Sequence, residues 1–408
     1  MEQKLKDIVN YAYRKCEFYR DLQKNSEFYL QTMEEFEKLP IINKSVFRDN
    51  TQPIISEDFI NKPGIDIIKN HTSGTTGQFI NVYWCRADYN ASMIELWLQR
   101  KQFGIKTSDS FCSFFTTLFV NNSLVRNSGQ EYMTADKRQL VFSNANLDDK
   151  KLVDIYWKMI EYKPKWLLIQ PSILQMIVNV KRNYNLPQIS SLKYIELMGE
   201  SFLESFEEEV AQEFQCIVKN MYGLIEVNSI GYENKRGELK ILKSNVFVEI
   251  LKEGKDTQPG EVGEIVVTSL TNRLMPLIRY TTGDYGCWLD NKKDILLLKK
   301  GRASEYVCLE NINVPVYVLM APIQIINCEL GNIIRDARFV QKSYKNIEVN
   351  LHVSNRFKGW EKTIKSEYIK NIKDERLREM HWEINVFTEY GRHNGGKRRL
   401  FELQMEEM

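Results

Sequence analysis

Residues 71–78 read His71-Thr72-Ser73-Gly74-Thr75-Thr76-Gly77-Gln78, two glycines among four hydroxyl side chains, set between apolar segments rich in β-branched and aromatic residues. Glycine lets a backbone approach an anion closely, and Ser/Thr hydroxyls with bare amides can donate several hydrogen bonds to phosphate oxygens. The stretch is not a Walker A loop. Gln78 stands where that motif needs Lys followed by Ser or Thr, and Phe79-Ile80-Asn81-Val82-Tyr83 continues as a strand rather than a helix. Taken alone, an ordinary Gly/Thr hairpin turn explains these residues as well as a phosphate-cradling loop does.

Outward from the loop, Ile65 to Ile68 is expected as the entering strand and Phe79 onward as the leaving one, which makes the loop a hairpin tip. Upstream, Leu5, Ile8, Val9, Ala12, Tyr13 and Cys16 recur at helical spacing, and Thr32-Met33-Glu34-Glu35 has the form of a capping box opening a short helix that Pro40 ends. Downstream, a helix is expected over Ser92 to Phe103, then an aromatic run at Phe111-Cys112-Ser113-Phe114-Phe115 that reads as a buried strand and can also wall a substrate pocket. After a helix over Lys151 to Tyr162, Trp166-Leu167-Leu168-Ile169 is a short apolar run typical of a parallel strand buried on both faces. The pattern continues with a helix from Pro171, a strand at Tyr194 to Met198, a turn at Gly199-Glu200-Ser201, a helix through Leu203 and Phe214, and a strand at Cys216-Ile217-Val218. Such alternation argues for an α/β layered domain whose ligands collect at the carboxyl ends of strands. Gly199-Glu200-Ser201 and Asn220-Met221-Tyr222-Gly223 are both expected at such ends.

From Glu238 to Leu289 the texture changes to short alternating strands, a β-rich subdomain. Beyond Gly301-Arg302 comes a shorter α+β segment: alternation at Ile347, Val349, Leu351 and Val353, a charged helix over roughly Lys358 to Met380, and alternation again at Trp382, Ile384 and Val386. The main domain boundary is expected there, giving a large domain over 1–301 and a small one over 302–408.

Composition narrows the partners. The 408 residues are 43% hydrophobic and 12% aromatic, enough for a substantial core. Lys+Arg 56 against Asp+Glu 54 leaves a formal charge of +2, so bulk electrostatics gives no ground for nucleic acid or an anionic membrane as partner. The first twenty residues lack an apolar signal-type core and no run is long enough to span a bilayer, so a soluble, cytoplasmic chain is expected. Seven cysteines, none closer than Cys308 and Cys328, and four scattered histidines fit neither a disulfide framework nor a CxxC metal cluster.

In sequence order the chain holds the Gly/Thr loop, Met198-Gly199-Glu200, Asn220-Met221-Tyr222-Gly223-Leu224-Ile225-Glu226, Tyr280-Thr281-Thr282-Gly283-Asp284, Gly301-Arg302 and Gly395-Gly396-Lys397. Each is weak alone. The ordered set resembles the adenylate-forming superfamily of acyl-CoA synthetases and peptide-synthetase adenylation domains, and within it the phenylacetate-CoA ligase and capsule-synthesis ligase branch. The segment from Gly263 to Asp284, GEIVVTSLTNRLMPLIRYTTGD, is similar to that branch, as are the earlier FYRDL and KLPIINKSVFRDN.

The resemblance implies a large N-terminal domain of layered sheets and helices with a β-rich subdomain, and a small mobile C-terminal α+β domain. It implies activation of a carboxylic acid by ATP to an acyl-adenylate with release of pyrophosphate. Acyl transfer to a thiol follows, either coenzyme A or the phosphopantetheine of an acyl carrier protein. By the same resemblance Thr72, Ser73, Gly74, Thr75, Thr76 and Gly77 grip the β- and γ-phosphates, and Gly199, Glu200 and Ser201 line the adenine and ribose pocket. Asn220, Met221, Tyr222 and Gly223 continue that pocket, Tyr222 stacking on the base and Asn220 pairing with its exocyclic amine. Glu226 holds Mg²⁺, a hard oxygen donor for a hard cation. Asp284 accepts the ribose hydroxyls, Arg302 bonds ribose or phosphate at the hinge, and Lys397 bridges the substrate carboxylate and the α-phosphate. A homodimer is compatible with this assignment.

Blander readings stand beside these: Glu226 and Asp284 as solvated carboxylates, Tyr222 as a core aromatic, Lys397 as one cation of the run Lys397-Arg398-Arg399. The chain also departs from the family pattern. Ile225 replaces the Thr or Ser that relatives place before the metal-binding Glu, Ser304 stands where they carry the hinge Asp or Lys, and Leu118-Phe119-Val120-Asn121-Asn122 replaces a glycine-rich stretch near the acyl pocket. Two alternatives follow: transfer of AMP itself to an acceptor hydroxyl, and a catalytically silent nucleotide-binding relative.

Overall fold

The computed structural model describes residues 3–23, 28–47, 52–60, 64–71, 81–115, 118–120, 123–125, 131–134, 136–143, 147–200, 202, 204–302, 306–310, 313–330, 333–353, 357–372, 374–377, 379–388 and 400–405. The chain divides into two units, Met1–Lys106 with Asn220–Leu298, and Thr107–Lys219 with Lys299–Met408.

In the first unit the opening helix Gln3–Lys15 buries Leu5, Ile8, Val9 and Ala12, the face its spacing predicts. Helix Met33–Glu37 begins with the expected capping box: Glu35 N–H donates to Thr32 Oγ1 at 3.2 Å and Thr32 N–H to Glu35 Oε2 at 3.1 Å. Strands Ile67–His71 and Asn81–Cys85 pair antiparallel, Ile67 opposite Cys85 and His71 opposite Asn81. They form the expected hairpin, and its connecting residues 72–80 lie outside the described residues. The next helix, Arg86–Gln102, begins ahead of Ser92 because extended Cys85 caps it, its sulfur accepting from Asp88 N–H at 3.5 Å.

The unit's remaining strands lie in the order Lys255–Asp256, Val246–Lys252, Gly263–Ser269, Tyr280–Trp288, Ile295–Arg302, Leu239–Ile241, Asn228–Glu233 and Ile217–Leu224. Their inward residues, among them Val248, Ile250, Ile265, Val267 and Trp288, join Leu5, Val9, Phe36 and Trp84 in one core. Buried Arg279 clamps the amino-terminal segment to this core. Its Nη1 donates to the carbonyls of Glu37 at 2.5 Å and Leu39 at 2.6 Å, and its Nε and Nη2 reach Glu249 at 3.1 and 2.9 Å. Ile42 then bridges to the strand from Tyr280, its N–H on Arg279 O and its carbonyl under Thr281 N–H, both at 2.9 Å. The KLPIINK and RYTTGD segments are therefore physically one assembly. Burial pushes the Glu249 carboxyl above its ordinary value, outweighing the pull of the guanidinium.

In the second unit, strands Tyr194–Met198, Trp166–Ile169, Phe111–Phe115 and Gln139–Ser143 are parallel neighbours in that order, with Glu131–Met133 antiparallel at the edge. Helices Asp149–Tyr162, Pro171–Asn183 and Glu204–Phe214 cover them, packing Tyr156, Met159, Ile177 and Val210 on Phe114, Phe142, Leu167 and Ile195. The α/β reading of this stretch holds. Its carboxy-terminal part has a four-stranded sheet, His381–Phe387, Asn346–Val353, Ile334–Ser343 and Phe401–Leu403, whose core includes Ile323, Phe339, Val349 and Tyr368.

Two expectations are corrected. The strand expected at Cys216-Ile217-Val218 runs on to Leu224, so Asn220 to Gly223 lie within its carboxyl-terminal half; it continues because it gains Asn228–Glu233 as an antiparallel partner. The charged helix stops at Lys370. It buries only Ile364 and Tyr368, Asn371 Nδ2 caps the Glu367 carbonyl at 2.9 Å, and a separate short turn, Glu375–Leu377, follows with Arg376 folded onto Asp374. Among the described residues no helix is long and apolar enough to cross a membrane. Cys16, Cys85, Cys112, Cys216, Cys287 and Cys308 are free thiols, with Cys16, Cys85, Cys112 and Cys287 buried; burial pushes the Cys16 thiol up to about 12.

Candidate active site

Within the first unit, two motifs that are 54 or more residues apart in sequence meet through two tyrosines. The strand Ile217–Leu224 carries Tyr222, and its ladder with Asn228–Glu233 shifts register between Tyr222 and Gly223. The shift brings the returning backbone so close that a Cβ at Gly223 would sit 2.7 Å from Asn228 O and 3.1 Å from Ser229 Cα. Only glycine fits there. The turn after it places Glu226, 7% exposed, and leaves Ile225 at 41% exposure. Asn228 closes the turn in left-handed backbone, φ 65°, and anchors it by donating from Nδ2 to Ser92 Oγ at 2.7 Å.

Each carboxylate of the pair is held by a phenol from the other motif. Tyr222 donates to Asp284 Oδ2 at 2.9 Å, and Tyr280 donates to Glu226 Oε1 at 3.1 Å. Asp284 is fixed further by its N–H on Thr282 Oγ1 at 3.1 Å, whose own hydroxyl donates to Ile265 O at 3.0 Å. Asn220 is set by its N–H on Glu233 Oε2 at 3.0 Å. Thus Tyr222, Glu226, Tyr280, Thr282 and Asp284 are brought together by these hydrogen bonds, and Asn220, Met221 and Gly223 lie on the same strand as Tyr222. Sequence reading assigned no role to Tyr280 or Thr282, although both stand in the quoted motif; their signal is a hydroxyl two and four residues before the aspartate.

Glu226 is nearly buried, yet among the described residues it faces no cation and has only the neutral Tyr280 phenol as partner. A buried carboxylate without a counter-charge is costly unless something positive joins it, so this donor fits a hard divalent cation that completes its shell with ligand oxygens. Among the described residues no three His, Cys, Asp or Glu side chains gather as a metal cage.

In the second unit, Gly199 follows the strand Tyr194–Met198 in left-handed backbone, φ 78°, a conformation that favours glycine. The turn carries Glu200 back to the head of helix Pro171–Asn183, where Oε2 accepts from Ser172 N–H at 3.0 Å, a favourable place for an anion. Arg302 ends the strand Ile295–Arg302. Thr72, Ser73, Gly74, Thr75, Thr76, Gly77, Ser201 and Lys397, with the departure at Ser304, lie outside the described residues.

The family model for AMP-binding enzymes matches residues 61–273, and the chain belongs to that family. Among individual proteins it is similar to Protein CapK of Staphylococcus aureus, 25% identical over 367 residues, covering 83% of this chain and 77% of that one. It is also similar to phenylacetate-coenzyme A ligase of Thermus thermophilus, 24% identical over 294 residues, 69% of this chain and 64% of the ligase. Its fold is that of 2-hydroxyisobutyryl-CoA ligase in its postadenylation state, TM-score 0.73 at 15% identity, covering 98% of this chain and 88% of that one. The fold resembles an anthranilate CoA ligase less closely, TM-score 0.57 at 14% identity over 81% of this chain and 66% of that one. The family and the layered α/β fold expected from the ordered motifs are both borne out.

Proposed function

We propose that the protein activates a carboxylic acid with ATP as an acyl-adenylate and passes the acyl group to a thiol, giving a thioester and AMP. The observation that carries this reading is the tyrosine-held pair Glu226 and Asp284, built from two of the motifs that define the resemblance inside an AMP-binding family member. A carboxylate oxygen of the acid attacks the α-phosphorus, the bond to pyrophosphate breaks, and the thiol sulfur then displaces AMP from the acyl carbon. In this scheme Asp284, fixed by Tyr222 and Thr282, presents acceptors to the ribose hydroxyls, and Tyr222 offers a flat face to the base. Glu226 holds Mg²⁺, which when bound neutralises charge on the phosphates. Lys397 faces charge building on the phosphate, a contribution of about 3 kcal/mol by analogy with single-donor losses elsewhere. Thr72 to Gly77 close on the β- and γ-phosphates, and Gly199, Glu200, Ser201 and Arg302 complete the nucleotide contacts. The acceptor is coenzyme A or a carrier protein's phosphopantetheine, and free buried thiols agree with a reducing, cytoplasmic setting.

The test is ATP–pyrophosphate exchange with Mg²⁺ across a panel of aromatic and aliphatic acids, without thiol. Acid-dependent exchange is expected; nucleotide binding with no exchange for any acid would remove the assignment. Mass spectrometry distinguishes a thioester from an AMP-bearing hydroxyl product.

A further inference from the structure

The first unit also contains a cavity of about 620 Å³ beside the strand Val246–Lys252, which the nucleotide assignment does not use. Consecutive residues of that strand, Val246 to Glu249, line it, so the cavity runs along the strand's edge rather than over one face. The edge is open for a definite reason. Among the described residues the one strand on its outer side is the two-residue Lys255–Asp256, opposite Leu251 and Lys252.

The register settles which backbone groups point outward. Asn245 O accepts from Leu270 N–H on the inner side, and Ile250 O accepts from Thr257 N–H on the outer side. In an antiparallel ladder these directions alternate, so Val246, Val248 and Ile250 turn their peptide groups toward the cavity. Val246 N–H is satisfied by Leu242 O. By the same alternation Val248 turns its N–H and C=O away from Val267 and toward the cavity, although Val248 is only 8% exposed. Around these groups stand an apolar wall that includes Ile241, Phe247 and Trp288, and a rim of lysines. Lys243 and Lys293 are paired with Asp294 and Asp256. Lys38, Lys255 and Lys292 have no ion pair among the described residues, and Trp288 Nε1 has no hydrogen-bond partner among them. Glu34 and Glu37 also line the cavity without an ion pair among the described residues, so the unpaired charges there are three lysines against two glutamates.

We infer that this edge is a binding site for an extended, acidic peptide segment, which adds as a strand beside Val246–Ile250 and places carboxylates at Lys255 and Lys292. Main-chain bonds to Val248 supply affinity, alternate apolar side chains fill the wall, and the lysines select acidic sequence. This inference does not depend on the proposed reaction.

The probe is a fluorescent, acetylated and amidated hexapeptide of alternating valine and glutamate, titrated into the full-length protein by anisotropy. Saturable binding is expected, weakening as salt is raised. N-methylation of alternate peptide amides should weaken it about tenfold, as the loss of one or two hydrogen bonds predicts. Val248→Pro removes the outward N–H at an edge position where proline is tolerated, and should weaken binding similarly. The double charge reversal Lys255→Glu with Lys292→Glu is the second variant, touches no core residue, and should abolish the preference for glutamate over lysine peptides. Equal binding of the N-methylated peptide, equal binding of a valine-lysine peptide, or full displacement by citrate would each overturn strand addition. So would an absence of saturable binding.

Discussion

Two buried glutamates in the first unit, Glu226 and Glu249, are exposed to nearly the same degree, 7% and 8%, yet live in opposite electrostatic circumstances. Glu249 faces a guanidinium that holds both its oxygens at 2.9 and 3.1 Å. Glu226 faces a neutral phenol at 3.1 Å. The first is an internal brace whose charge is cancelled within the protein. The second has no cationic partner among the described residues, an arrangement suited to binding a cation. The pairing teaches that burial alone does not mark a functional carboxylate; what matters is whether the fold has already compensated it.

The comparison breaks most visibly on the Arg279 side. Arg279→Ala strands Glu249 and releases two backbone carbonyls, and should cost about 3–5 kcal/mol in denaturant unfolding. The double variant Arg279→Met with Glu249→Leu should recover much of it, because burial already disfavours the charged Glu249. A double variant as unstable as the single one would contradict that. Glu226→Gln should do the reverse: adenylation falls roughly 10²- to 10³-fold while the unfolding midpoint stays put or rises. Loss of stability together with unchanged exchange would make Glu226 a second brace.

Gly223→Ala sharpens the contrast at the backbone. Its methyl meets a carbonyl oxygen at 2.7 Å, so a loss of about 1–3 kcal/mol in stability is expected, with weaker nucleotide binding by calorimetry. The smallest effect is assigned to Tyr222→Phe. It removes one donor from Asp284, worth about 0.5–1.5 kcal/mol, and should raise the KM for ATP several-fold with kcat little changed.

Much of the second unit was legible in sequence because its strands are continuous apolar runs, and Trp166 to Ile169 or Tyr194 to Met198 admit little else. The site motifs were legible as an ordered set. Their geometry was not: no local pattern reveals that Tyr222 and Tyr280 exchange partners across the two motifs, or that Asn220 to Gly223 stay in a strand, since both depend on a neighbour supplied by later chain. The charged segment after Lys370 misled for the complementary reason. Its apolar residues Leu377 and Met380 do reach the core, but Asn371 bonds the Glu367 carbonyl and Asp374 holds Arg376, local side-chain bonds that compete with the helix ladder.

The clamp of Arg279 on Glu37 and Leu39 also bears on how the chain comes off the ribosome. The amino-terminal segment through Lys106 shares its core with residues that follow Asn220, so when it emerges its partners have not yet been made. At typical synthesis rates it waits roughly ten seconds while Thr107 to Lys219, which carry their own core of parallel strands and helices, emerge and fold first. Leu5, Tyr19 and Phe36 therefore lack their later core partners during that interval, and the segment through Lys106 is expected to expose apolar surface until residues after Asn220 emerge.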